Sequence, residues 1–174
     1  MSNNKGGSVR VYLEDFKIGQ KFCLEPIIIT LEDIYEFASK YDPLPIHLDS
    51  DFAVNSRFNG IIASGFHTLC AVWGQWVRLN KTGTEVIAGM GIDYLNWIAP
   101  VRPNDCLRGE IEVVDLIPSS KGGKGVQVLR LTVYNQDDKS VSTAQVRALM
   151  KSRCCERKKS LNRKPSKVIA NELL

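Results

Sequence analysis

The chain has 174 residues, is 44% apolar and 24% charged, and carries a formal net charge of +4, a balance that describes one globular domain with a real hydrophobic core. No apolar run approaches the roughly 20 residues that span a bilayer, and the opening MSNNKGGSVR lacks the apolar stretch of a secretory signal. The positive charge is uneven: residues 151–174 hold eight Lys/Arg against two Glu, so the body is mildly acidic, with no basic stripe that would suit a nucleic acid.

Residues 1–10 read as a disordered N-terminus. Residues 11–29 read as a lead-in and a strand ending in Ile27-Ile28-Ile29. Thr30, with Asp33 three residues on, has the form of a capping box. Leu31, Ile34, Phe37, Ala38 and Tyr41 then recur at helical spacing. The helix is expected to stop at Tyr41, because Pro43 turns Asp42 away from the α region. Pro45 makes Asp42 to His47 an ordered loop in this reading. A short helix is expected over 50–56, and a longer one from Ser64 to about Leu79. The latter carries a wide apolar face (Phe66, Leu69, Cys70, Trp73, Trp76, Val77) and is expected to be largely buried. From 85 onward the period becomes two, giving strands over 85–95, 105–117, 124–136 and 140–152. The sum is an α+β domain over 11–152, followed by a basic tail, 153–174, read as a solvated terminus.

The five cysteines are odd in number and form no CxxC. They read as reduced thiols and point to a cytoplasmic setting. With only two histidines, no metal site is expected.

The residues that carry chemistry cluster early. Asp42 and His47 lie five residues apart on one proline-stiffened segment, YDPLPIHLD. A carboxylate and an imidazole held together suit general acid–base catalysis. Ser64 reads as an N-cap, which makes Gly65 the first helical residue, with an amide unpaired within the helix at the positive end of its dipole. Such an amide can polarise a carbonyl oxygen. Asp49 reads as a cap for the next helix or a brace for the loop. His67 reads as a structural histidine or a pocket residue. Arg102 and Arg108 read as solvated or ion-paired side chains at a turn, with contact to ligand phosphates as the alternative.

Together, Asp42, His47, Asp49, Phe58, Ser64-Gly65 and the later segment GIDYLNWIAPVRPNDCL resemble the MaoC-like family, which includes R-specific enoyl-CoA hydratases. The resemblance covers roughly 11–150. It implies a hot-dog fold, a curved antiparallel sheet wrapped around a long central helix. It further implies that Asp42 and His47 are catalytic, that Gly65 and Ser64 hold a thioester oxygen, and that Phe58, Ile62, His67 and Trp73 shape an acyl pocket. Asp49 would stand behind them. Two positions differ from the family's habit. Leu44-Pro45 replaces an Asn-Pro, and Trp73 stands where a serine often neighbours the catalytic Asp. The implied function is reversible addition of water to a 2-enoyl thioester, with CoA as part of the substrate, no separate cofactor, and a homodimer or higher homo-oligomer as the assembly. A carrier-protein thioester is the alternative substrate form. A thioesterase and a non-catalytic acyl-thioester-binding protein are the alternative functions. The absence of Asp and Glu from 58–77 speaks against the thioesterases that carry a carboxylate on this helix.

Overall fold

The computed structural model describes residues 10–153. The expected disordered N-terminus and nearly all of the basic tail, including Cys154 and Cys155, lie outside those residues. A short 3-10 turn, Leu13–Asp15, leads to two three-residue strands, β1 (Lys21–Cys23) and β2 (Ile27–Ile29). One strand is expected from the sequence, and two are present. Leu24 to Pro26 separates them, and Pro26 has no N–H to offer a ladder. Both strands pair antiparallel with the same long strand further along the chain.

Helix α1 (Leu31–Tyr41) begins on the capping box. Thr30 Oγ1 accepts the Asp33 N–H at 3.1 Å, and Asp33 Oδ2 accepts the Thr30 N–H at 3.1 Å. Its buried face is narrower than the spacing suggests: Ile34 and Ala38 are buried, Phe37 is half-buried, and Leu31 and Tyr41 are exposed. The expected loop after it is instead a helical turn, α2 (Pro45–Leu48). Pro45 occupies its first position, where a missing N–H costs nothing and the fixed φ is already helical. The helices α3 (Ser50–Val54) and α4 (Gly65–Arg78) follow.

Four long strands complete the described residues: β3 (Val86–Trp97), β4 (Asp105–Pro118), β5 (Lys124–Tyr134) and β6 (Ser140–Lys151). The sheet order is β1-β4-β5-β6-β3, with β2 also on β4, and every pairing is antiparallel. At the turn between β3 and β4, Asn104 takes φ 71°, a conformation asparagine tolerates better than most residues. Leu107, Ile111 and Val113 of β4 and Leu129, Leu131 and Val133 of β5 alternate onto one face and are buried. Val72 and Trp76 of α4, one turn apart, join them in the core. The close approach depends on Gly109 of β4: a Cβ there would fall 2.5 Å from Val72 Cγ1. This is the hot-dog arrangement, with the sheet curved around α4. The helix is less covered than its composition suggests. Phe66, Cys70 and Val77 form an exposed stripe along it, and β3, at the sheet edge, is exposed along most of its length.

Candidate active site

Asp42 is the C-cap of α1. Its N–H donates to Ala38 O at 3.0 Å, and Pro43 ends the helix there, leaving the carboxylate at the helix terminus. The next turn, α2, delivers His47 two residues after Pro45, with its ring buried. His47 Nδ1 lies 2.7 Å from Ile62 O. A carbonyl oxygen only accepts, so Nδ1 carries the proton in this bond and Nε2 is the nitrogen left to exchange one. Nε2 stands 3.5 Å from Asp42 Oδ2, close enough for both atoms to hold one water.

Ser64 completes the arrangement in a way the sequence does not reveal. It is buried, its Oγ accepts the Phe66 N–H at 3.2 Å as the N-cap of α4, and its hydroxyl donates to Asp42 Oδ2 at 2.6 Å. With its one proton committed to Asp42, Ser64 orients the carboxylate and does not line the open cavity. The expected role on a thioester oxygen is corrected accordingly.

Asp42 and His47 open onto a cavity of about 370 Å³, lined also by Phe58, Ile62, Gly65, Thr68, Val141 and Ser142 and by the strand end from Trp97 to Val101. Gly65 is the first residue of α4, so the helix N-terminus forms part of the wall. Phe58 and Ile62 line this cavity. His67 and Trp73 do not. His67 lies on another side of α4, stacked on Phe37 with centroids 4.9 Å apart, beside Asp33 and Lys40. Its Nδ1 is buried with no partner among the described residues. Burial pushes the imidazole below its ordinary pKa, partly opposed by the Asp33 carboxylate. Trp73 packs against the hydrophobic core, because its place on the helix turns it away from the cavity.

Asp49 caps α3, with Oδ1 accepting the Phe52 N–H at 2.9 Å. Arg102 donates to Phe58 O at 2.7 Å and so holds the segment that carries that ring. Arg108 pairs with Asp138 and lies over the Tyr134 ring. The exposed Arg57, at the cavity mouth and over the Phe58 ring, is a cation the sequence reading did not single out. Trp97 and Ile98 were also missed. Nothing local marks them, since they reach the cavity only through the pairing of β3 with β6. Among the described residues, no group of three or more His, Cys, Asp or Glu could hold a metal ion, and no helix is long and apolar enough to cross a membrane.

The family model of the MaoC like domain matches residues 15–135. The Bacillus subtilis protein YdeM, itself uncharacterised, is 35% identical over 139 residues, covering 80% of this chain and 98% of its own. A 3-hydroxybutyryl-CoA dehydratase from Methylorubrum extorquens is 35% identical over 115 residues, covering 64% of this chain and 69% of its own. Among solved structures, a protein from Archaeoglobus fulgidus described as a monoamine oxidase regulatory protein is 31% identical, with a TM-score of 0.78, covering 82% of this chain and 95% of its own.

Proposed function

The chain belongs to the MaoC-like dehydratase family, and from that premise we propose that it adds water reversibly to a 2-enoyl thioester, with acyl-CoA as the substrate form. The observation that carries this reading is the 3.5 Å separation of Asp42 Oδ2 and His47 Nε2 on the wall of a cavity that also contains the N-terminus of α4. The substrate carbonyl oxygen sits at the Gly65 N–H. The Asp42/His47 pair holds one water against Cβ. As the water oxygen bonds to Cβ, one of its protons passes to the pair, and the electrons of the double bond move toward the carbonyl oxygen. The helix N-terminus meets that negative charge. The pair then returns a proton to Cα. The elements of water are added, nothing else is consumed, and one pair handling both transfers places both new bonds on the same face. Because one water and one pair of side chains handle both transfers, the acid and base roles belong to the pair.

This chemistry needs no cofactor, and CoA takes part only as the carrier of the acyl group. The relative described as a 3-hydroxybutyryl-CoA dehydratase supports a short acyl-CoA, and Arg57 at the mouth is suited to a CoA phosphate. The exposed stripe of α4 and the exposed edge strand β3 support a homodimer, since a long apolar edge is usually covered.

The test is to follow loss of the conjugated thioester absorbance when the protein meets crotonyl-CoA and longer enoyl-CoAs, with free thiol assayed in parallel. Hydration without thiol release is expected. Thiol release with no hydroxyacyl product would make the protein a thioesterase, and inertness on the whole panel would leave an acyl-thioester-binding protein.

A further inference from the structure

One wall of the cavity is formed by a side chain that the proton chemistry does not use. Trp97 is the last residue of β3, and its indole lies across the first turn of α4. A Cβ built on Gly65 would fall 2.2 Å from Trp97 Nε1, 2.3 Å from Cε2 and 2.6 Å from Cδ1. Nothing larger than glycine fits at 65 while the indole stays in place. The indole is also held there. Phe66 meets it edge-on, with centroids 5.2 Å apart and planes at 80°. The backbone just beyond it is fixed to β6, where the Ile98 and Ala99 N–H groups both donate to Val141 O at 2.9 and 3.2 Å. Trp97 lines the cavity, so the part of its surface that faces the cavity is available to a ligand whether or not a second copy covers the outer side of β3.

We propose that Trp97 is a specificity-determining residue that selects unbranched 2-enoyl thioesters and rejects those bearing a methyl group on Cα. The inference rests on the reading of this cavity as a site of enoyl-thioester hydration. With the carbonyl oxygen at the Gly65 N–H, the groups nearest the indole are those one or two bonds from the carbonyl carbon. A substituent on Cα lies in the plane of the conjugated thioester, beside the carbonyl group, and meets the indole. An unbranched acyl chain leaves that position to hydrogen and continues toward Phe58 and Ile62. One methyl group misplaced in an apolar pocket costs about 10- to 200-fold in kcat/KM, and that range is the effect the indole can exert.

The experiment compares crotonyl-CoA with (E)-2-methylcrotonyl-CoA on wild type, Trp97→Phe and Trp97→Ala. Calorimetric binding of butyryl-CoA and 2-methylbutyryl-CoA to the same three proteins is measured alongside. Expected is a rise of about tenfold or more in the branched-to-unbranched ratio of kcat/KM for Trp97→Ala, with Trp97→Phe between. An unchanged ratio, or an equal fall for both substrates, overturns the proposal and assigns Trp97 a structural role only. If wild type binds the saturated thioesters but turns over neither enoyl substrate, the hydration reading fails, and the ratio of binding constants decides the role of Trp97 by the same criterion. If wild type neither binds nor converts any of them, both the reading and the inference fall.

Discussion

Asp42 reaches the cavity as the cap of one helix and His47 from the turn that follows, yet the two are tied to one point by Ser64 and Ile62. The Ile62 carbonyl fixes the tautomer of His47, and the Ser64 hydroxyl fixes the Asp42 carboxylate. Ser64→Ala removes a helix cap, typically worth about 1 kcal/mol, together with a donor to a carboxylate, worth about 1.5–3 kcal/mol. A lower midpoint of thermal unfolding and a fall in kcat of about tenfold or more are expected, both largely restored by Ser64→Thr. A Ser64→Ala protein with full kcat would show that the carboxylate needs no brace. His67 gives a pH signature of a different kind. Its folded-state pKa is depressed, so the unfolded chain takes up that proton first. The neutral, stacked ring is fully compatible with folding above about pH 6.5, the ordinary histidine value, and stability is lost as pH falls below it. His67→Phe keeps the stack on Phe37 and removes the proton, so the variant should lose less stability than wild type between pH 7 and 5 in denaturant titrations. Parallel pH profiles for the two proteins would contradict this.

At the scale of elements, two glycines set how closely α4 can be approached, one at its middle and one at its N-terminus. Gly109 lets β4 meet Val72, and Gly65 makes room for Trp97. Gly109→Ala is expected to lower stability by about 1–3 kcal/mol through overpacking, measured by chemical denaturation. Gly65→Ala is expected to be damaging alone but nearly silent in the Trp97→Ala background, since the clash is then gone. Simple additivity of the two changes would deny the contact. The elements also show where sequence reasoning succeeds and fails. The capping box at Thr30 and Asp33 and the start of α4 at Ser64 were legible because they depend on residues a few positions apart. The turn at Pro45–Leu48 was missed because proline was read as a breaker, although at a first helical position it is a starter. The apolar spacing of Trp73 and Trp76 reads as core packing, which is where Trp73 lies; its pocket position came from the family resemblance alone, and a resemblance does not say which wall a helix face meets. The bond from Ser64 to Asp42 and the contact of Trp97 with Gly65 were invisible, since each joins two elements that meet only in the folded chain, the ends of two helices in one case and a strand end and a helix in the other.

At the scale of the whole molecule, the described residues leave apolar surface uncovered on β3 and α4. Ile87, Met90, Ile92, Phe66 and Val77 are each about half-exposed, and β3 is an edge of the sheet. A second copy of the chain covering them is the assembly proposed above. Ile92→Lys is expected to shift the protein toward monomer in light scattering coupled to size exclusion, because a lysine on an edge strand opposes pairing. An unshifted dimer would place the interface elsewhere. The central claim concerns the pair at the heart of the fold, and steady-state hydration of crotonyl-CoA by wild type, Asp42→Asn and His47→Gln tests it most directly. Each substitution is expected to lower kcat by about 10²- to 10⁴-fold, with the thermal unfolding midpoint little changed. Variants that fold normally and retain wild-type kcat would contradict the assignment of Asp42 and His47 as the proton carriers.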